Sequence, residues 1–252
     1  MILSKFKMSQ ISKEIILAIK KEADPEKAKR SQRFFKTGSG EYAEGDLFLG
    51  VTVPKQRLIV KNFKDQVVLE DLLELIINPY HEIRLITLLL LVELFKKAQT
   101  QKEKKPIVDF YLAHSAFVNN WDLVDISADK ILGQYLFEIS QKKGFQEVSK
   151  LLINLANSDL LWERRIAVLS TFPFIRAEQF FPTLELAKLL MEDEEDLIHK
   201  AVGWLLREVG KHNEQALTIF LDQHALQMPR TMLRYAIEKF PETKRQFYLK
   251  KS

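Results

Sequence analysis

The stretch VNNWDLVDISADKIL, residues 118–132, combines acidic side chains with an indole in a helix-forming pattern. Asp125 follows Trp121 by four residues, so helical spacing puts the carboxylate and the indole on one face. A carboxylate and the face of an indole ring can both stabilise a nearby positive charge. The pair is therefore a candidate site for cation chemistry. A hydrogen-bonded or solvated aspartate beside a half-buried tryptophan is the simpler interpretation.

A second group of candidates in the later half of the chain combines cations with aromatic rings. Its members recur at helical spacing in two stretches: Trp162, Arg164, Arg165, Lys200, Trp204, Arg207 and Lys211. If they line one surface, they form a positive groove with aromatic plates that can neutralise phosphates and lie against sugars or bases. Solvated charges beside aromatic residues that pack in the core are an equally good interpretation.

Other kinds of site have little support in the sequence. Cysteine is absent, which excludes disulfides, thiolate metal sites and cysteine nucleophiles. The five histidines are scattered singly, so we expect no metal and no cofactor. A Ser-His-Asp triad is not excluded, yet no glycine-flanked nucleophile elbow is present. The glycine-rich segment 36–50 has no preceding strand and no Lys-Ser or Lys-Thr after it, which predicts a flexible loop instead of a phosphate loop.

Composition and hydropathy indicate a folded chain outside the membrane. The 252 residues are 46% apolar with 17 phenylalanines, enough to bury a substantial core. The most apolar run, residues 85–95, is interrupted by Glu93 and falls short of the roughly 20 residues that cross a bilayer. No export signal is visible at the start, so we expect a cytoplasmic protein. The net charge of +4 permits nucleic acid as a partner without requiring it.

Helical periodicity predicts the elements that carry the candidate residues. Asn119 or Asn120 is expected to cap the helix of Trp121, which places Asp122 where the helix dipole favours an anion. Only DLFLGVTV, residues 46–53, has the composition of a strand.

Five helical stretches share a polar start and an apolar continuation, which indicates internal repetition. One anchor residue in each lies 34–41 residues from the next, the length of two helices and two turns: Arg84, Asp125, Arg165, Lys200 and Arg234. A weaker sixth unit is indicated around Arg57. This period is typical of HEAT-like repeats, whose stacked helix pairs expose a concave surface. We therefore predict an all-α fold, a curved α-solenoid of HEAT-like repeats forming a single domain over residues 1–252.

Four stretches carry a resemblance that goes beyond periodicity. They are YAEGDLFLGVTVPKQR at 42–57, NNWDLVDISADKILG at 119–133, LWERRIAVLSTF at 161–172 and DLIHKAVGWLLREVGK at 196–211. In this order and spacing they resemble the AlkD family of bacterial DNA alkylation-repair glycosylases, from about Ala23 to Phe240. The resemblance implies a HEAT-like fold that holds duplex DNA. It also implies removal of cationic alkylated purines, chiefly 7-methylguanine and 3-methyladenine, by hydrolysis of the N-glycosidic bond during base excision repair.

The resemblance assigns roles to individual residues. Asp125 matches the catalytic carboxylate of the family. Trp121 and Trp204 match two indoles that line the lesion site. Arg165 matches a basic residue near the backbone of the damaged nucleotide. No lysine stands at the catalytic position, so a Schiff-base lyase step is not expected and the enzyme would be monofunctional.

Two positions depart from one branch of that family, in which Phe34 is replaced by tyrosine and Asn120 by tryptophan. The residues expected to contact DNA are Phe34 and four cations: Arg164, Lys200, Arg207 and Lys211. The expected partner is double-stranded DNA containing alkylated purines, bound by a monomer associated with the nucleoid, without a metal or a membrane.

The implied chemistry fits a carboxylate beside an indole. An alkylated purine that already carries positive charge departs as a neutral base, so it needs no strong general acid. Cleavage leaves positive charge on the sugar, which a nearby carboxylate stabilises. Two other functions stay open at this point. One is a non-catalytic HEAT-like relative that binds altered or branched DNA. The other is a protein-interaction scaffold, which would have an acidic or apolar concave face.

Overall fold

The computed structural model describes residues 8–251, which form two compact units divided in sequence after Ser127. All regular elements of the described chain are helical, so the predicted all-α class is confirmed. The first unit contains α1 (Gln10–Lys21), α2 (Pro25–Phe34), α3 (Val53–Phe63), α4 (Leu73–Ile76), α5 (His81–Lys97), α6 (Gln101–Ala113) and α7 (Trp121–Ser127), with 3-10 turns at Leu69–Leu72 and Ser115–Phe117. The single curved solenoid stays a prediction.

The second unit begins with a π-helical turn at Asp129–Gly133. Its helices are α8 (Gln134–Lys143), α9 (Gln146–Ala156), α10 (Leu161–Leu169), α11 (Phe172–Arg176), α12 (Phe181–Leu189), α13 (Asp196–His212), α14 (Glu214–His224), α15 (Arg230–Ala236) and α16 (Glu242–Lys251).

Helix α5 forms the centre of the first unit because it is apolar around most of its circumference. Its sequence HEIRLITLLLLVELFKK is buried without interruption from His81 to Val92. Helices α3, α4, α6 and α7 all pack against it. Despite this run of apolar residues, neither α5 nor any other helix within residues 8–251 is long and apolar enough to span a membrane.

Helix α13 has the same central place in the second unit, where α10, α11, α12, α14 and α15 pack against it. Gly203 allows α15 to approach closely, since a Cβ atom there would lie 2.5 Å from the carbonyl oxygen of Met232. The other buried residues of α13 are mostly aliphatic and follow helical spacing, so one stripe of this helix faces the core.

The helices that carry the anchor residues are packing neighbours within each unit. In the first unit α3, α5 and α7 carry Arg57, Arg84 and Asp125, and α5 packs against the other two. In the second unit α10, α13 and α15 carry Arg165, Lys200 and Arg234, and α13 packs against the other two. Anchors that are 34–41 residues apart within one unit therefore lie on neighbouring helices, while the HEAT-like repeat itself stays a prediction.

The strand prediction for residues 46–53 is wrong. The only β-type pairing found within residues 8–251 is one isolated bridge between Leu47 and Tyr80. The segment turns at Gly50, whose φ is 79°, and α3 begins at Val53. A carboxylate takes the place of a partner strand, because Glu82 accepts hydrogen bonds from three successive backbone amides: Leu49, Gly50 and Val51.

Candidate functional site

Trp121, the first residue of α7, is held in an aromatic cluster of the first unit. Its ring stacks on Phe35 with centroids 5.4 Å apart, and Phe34 meets it edge-on at 6.0 Å. Its Nε1 donates a hydrogen bond of 3.3 Å to the hydroxyl of Tyr42. The indole is half-buried, whereas Phe34 is 64% exposed. The cluster therefore fixes Trp121 and ends in an apolar ring that faces solvent.

Asp125 lies one helical turn after Trp121 and shares its intermediate exposure. The intervening Leu123 and Val124 are fully buried, so they define the core side of α7. Trp121 and Asp125 are consequently on the same partly exposed side of the helix, as their spacing predicts. An aspartate in this position can direct negative charge at a ligand that lies along α7.

A buried polar network lies at the amino-terminal ends of α5 and α7. His81 Nε2 is 2.9 Å from an oxygen of Asp122, and its Nδ1 makes a longer contact of 3.5 Å with Asp46. Arg84 and Asn119 donate to the other oxygen of Asp46 at 2.8 and 3.0 Å. The network joins the 46–50 loop to α5 and to the start of α7, so it helps to set the position of Trp121.

The charges in this network shift the pKa values of its members. Burial opposes ionisation of Asp46, but the hydrogen bond with His81 and the charge of Arg84 hold its pKa below the usual value. Burial also opposes protonation of His81, yet its hydrogen bonds to Asp122 and Asp46 raise its pKa above the usual value. Burial lowers the pKa of Arg84 despite the opposing charge of Asp46. The network therefore favours a protonated His81 and an ionised Asp46, each relative to its ordinary pKa.

The predicted helix cap is only partly formed. The side-chain oxygen of Asn120 accepts a hydrogen bond from the amide of Trp121 at 2.9 Å, and its backbone carbonyl accepts the amide of Val124. Asn119 instead points to Asp46 in the buried network. Asp122 lies in the first turn, where the helix dipole favours an anion, and is also bonded to His81.

Trp204 occupies a half-buried position on α13 in the second unit. Its Nε1 donates to Glu208, one turn further on, at 3.2 Å. Phe172 meets its ring edge-on at 5.8 Å, and the guanidinium of Arg176 lies 4.5 Å from the centroid of Phe172. Arg176 in turn donates to the buried Asp129 at 2.8 Å. Trp204 is therefore bonded to one acid, Glu208, and is connected through Phe172 to the pair of Arg176 and Asp129.

The cations predicted to contact DNA all have partners inside the second unit. Arg165 is buried and donates to the carbonyl of Leu197 at 2.8 Å. The others form ion pairs: Arg164 with Asp193, Lys200 with Asp196, Arg207 with Glu238, and Lys211 with Glu208. Trp162 is 4% exposed and belongs to the core, as the packing interpretation predicts. These cations would have to exchange or share their partners to bind phosphates.

The sequence missed several residues that complete these arrangements. Tyr42 and Asp46 lie in the glycine-rich loop, and their partners follow 79 and 73 residues later in the chain. Glu208 follows Trp204 by four residues, the same spacing as Trp121 and Asp125, which could have indicated it. Within the described range of the chain, no group of three or more His, Cys, Asp or Glu side chains could hold a metal ion.

Comparison with known proteins gives a consistent result. No match is found among curated proteins. The solved structure of a predicted DNA alkylation repair enzyme from Enterococcus faecalis superposes with a TM-score of 0.68 at 17% sequence identity, covering 88% of this chain and 98% of that one, which shows a common fold. The family model for DNA alkylation repair enzymes matches residues 15–240. The match spans most of the chain, which therefore belongs to the family of DNA alkylation repair enzymes.

Proposed function

We propose that the protein is a monofunctional DNA glycosylase that removes cationic alkylated purines, such as 7-methylguanine and 3-methyladenine, from duplex DNA during base excision repair. The observation that carries this proposal is the arrangement of Trp121 and Asp125 on one partly exposed side of α7. Membership of a DNA alkylation repair family supports alkylated DNA as the class of substrate.

The side chains of α7 suit a reaction in which positive charge develops on a sugar. The bond between C1′ and the base nitrogen breaks, and its electron pair leaves with the base, which becomes neutral. The carboxylate of Asp125 stabilises the positive charge that remains on the sugar and orients a water molecule. Water forms the new C1′–O bond, and its proton passes to Asp125 or to solvent. The face of Trp121 adds a cation–π contribution to the same charge.

Residues of the second unit have supporting roles in this proposal. Trp204 supplies a second aromatic face, and Arg165 lies near the backbone of the damaged nucleotide. Four residues, Arg164, Lys200, Arg207 and Lys211, contact phosphates by exchanging the carboxylate partners that they have in the free protein. The protein acts as a monomer and needs no cofactor. It would work in the cytoplasm, where it meets the nucleoid.

The proposal is tested by base release from duplexes that carry one 7-methylguanine or one 3-methyladenine. We expect free methylated base to be released, while the strand stays unbroken until heat or alkali cleaves it at the abasic site. Incubation without protein corrects for spontaneous depurination, and an unmodified duplex serves as the substrate control. Failure to release either base at protein concentrations that saturate the DNA would contradict the proposal and favour the non-catalytic DNA-binding relative.

A further inference from the structure

Helix α2 is well formed although none of its ten residues is buried. Its amino-terminal end is capped by Asp24, whose carboxylate accepts the amides of Glu26 and Lys27. The same end lies against the 49–51 turn, because the amide of Asp24 donates to the carbonyl of Leu49 at 2.9 Å. At the other end, Phe35 stacks on Phe48 at 5.2 Å. The helix is therefore attached at its ends, which leaves one side open to solvent.

The open side of α2 carries cations around an aromatic ring. The side of α2 that faces the protein is marked by three partly covered residues, Ala28, Ser31 and Gln32. The opposite side is exposed and consists of four residues at helical spacing: Lys27, Arg30, Arg33 and Phe34. Lys36, two residues after Phe34, is also exposed.

The cations of α2 divide into paired and unpaired groups. Lys27 is paired with Asp24 at 2.7 Å, and Lys29 with Glu26 at 3.0 Å. The part of the chain that the structure describes offers no carboxylate within ion-pair distance to Arg30, Arg33 or Lys36. Asp24 and Glu26 are thus already occupied by the two lysines, and three cations near Phe34 in sequence keep no carboxylate partner among the described residues.

This arrangement differs from that of the cations in the second unit. There, Arg164, Lys200, Arg207 and Lys211 each have a carboxylate partner, which a phosphate must displace or share. A phosphate that binds Arg30 and Arg33 breaks no ion pair, so the attraction between the unlike charges is not offset by the loss of an internal partner. Counterions released from DNA would add to the binding free energy.

We infer that the exposed side of α2, with Arg30, Arg33 and Lys36 around Phe34, binds the sugar–phosphate backbone of duplex DNA beside the Trp121 face. This inference rests on the proposed function, since it places the DNA next to the aromatic cluster that would receive the lesion. The ring of Phe34 reaches from α2 to Trp121, with centroids 6.0 Å apart, so a strand held by α2 lies against the candidate site. A lipid surface fits less well, because the exposed side has a single large apolar residue.

The test compares two double variants of the same helix. Arg30→Gln/Arg33→Gln removes two unpaired cations, whereas Lys27→Gln/Lys29→Gln removes two paired ones and serves as the control with the same change in net charge. Binding to an undamaged fluorescent duplex is measured from 50 to 300 mM salt. We expect the arginine variant to reduce the slope of log K against log salt by roughly 1.8, the value for two lost phosphate contacts. The lysine variant should change the slope by less than half as much.

Several results would overturn the inference. An unchanged slope in the arginine variant would do so, as would equal losses in both variants, which would indicate a general effect of net charge. Loss of binding to phosphatidylserine vesicles with an unchanged DNA slope would indicate a lipid partner instead. Circular dichroism and urea unfolding verify that both variants keep the fold, which is expected because glutamine favours helices and all four positions are exposed.

The outcome for α2 is separable from the outcome for glycosylase activity. If the wild-type protein releases 7-methylguanine and the arginine variant keeps its slope, the inference fails and the proposed function stands. If the slope falls as expected and the wild-type protein releases no methylated base, α2 binds DNA in a protein that lacks the proposed activity.

Discussion

His81 is the residue on which the buried network depends. Both of its ring nitrogens face carboxylates, with Asp122 at 2.9 Å and Asp46 at 3.5 Å. Its side chain is 2% exposed, so solvent screens these interactions little. His81 therefore links the 46–50 loop to the helix that carries Trp121 and Asp125.

The raised pKa of His81 predicts how its contribution to stability changes with pH. Because the pKa of His81 is higher in the folded state, its protonation stabilises the folded state fully below the unfolded pKa of about 6.5. This contribution is lost as the pH rises through the pKa of the folded state. Asp46 has a lowered pKa, so its contribution to stability is lost at the acidic end of the pH range, as the pH falls below about 4. The stabilisation should therefore be greatest near pH 5.5.

We expect His81→Gln to lower the free energy of unfolding most at about pH 5.5 and progressively less towards pH 9. Urea unfolding of both proteins across this range measures the difference, and the subtraction removes the contribution of groups that titrate in the same way in both. A difference that grows with pH would show that His81 is neutral in the folded protein.

The candidate site was predictable where it depends on local spacing. Trp121 and Asp125 share one side of a helix because they are four residues apart, and the sequence shows this directly. Tyr42 and Asp46 were not predictable, because their contacts with α7 and the residues before it join positions more than 70 residues apart. The hydrogen bond of Arg165 and the ion pair of Arg164 likewise depend on groups about 30 residues later in the chain, whereas the ion pair of Lys200 with Asp196 has the local spacing of one helical turn.

At the level of elements, the 49–51 turn attaches α2 to the rest of the first unit. Three amides of this turn are bonded to the carboxylate of Glu82, and hydrogen bonds to a charged group stabilise a protein by about 1.5–3 kcal/mol each. The sequence of residues 46–53 has strand composition, but composition does not show whether a partner strand is present. Here a buried carboxylate satisfies the amides, and a loop forms in place of the strand.

Gly50 is the position at which this attachment is most sensitive to substitution. Its φ is 79°, and a Cβ atom would lie 2.1 Å from the carbonyl oxygen of Asp24 and 2.6 Å from the amide nitrogen of Ala28. Gly45 also has a positive φ, 83°, but apart from its two chain neighbours no residue that the structure describes comes within 4 Å of a Cβ added there. Substitutions at the two glycines can therefore be compared, because both require an unfavourable backbone conformation but only the one at Gly50 also creates a close contact.

We expect Gly45→Ala to cost about 1 kcal/mol of unfolding free energy, the usual cost of a left-handed conformation for alanine. Gly50→Ala should cost about 2 kcal/mol more, because α2 must shift to relieve the contact with Asp24. Urea unfolding of the two variants measures this difference. Equal losses would show that α2 is not held tightly against the turn.

At the level of the whole molecule, the all-α class followed from helical periodicity, whereas the HEAT-like repeat stays a prediction. Neighbouring anchor helices pack together in both units, as expected for a repeat of 34–41 residues. The match to DNA alkylation repair enzymes over residues 15–240 connects this fold to DNA repair. The chemistry proposed for the molecule then depends on one carboxylate, Asp125.

The most direct test of this account is the single-turnover rate of 7-methylguanine release by Asp125→Asn. The amide fits the same space, so folding and affinity for undamaged duplex should be retained, while the rate should fall on the order of a hundredfold because a preorganised charge is lost. Asp109→Asn, an exposed aspartate on α6 that pairs with Lys105, is the control and should match the wild type. An Asp125→Asn variant as fast as the wild type would contradict the central claim.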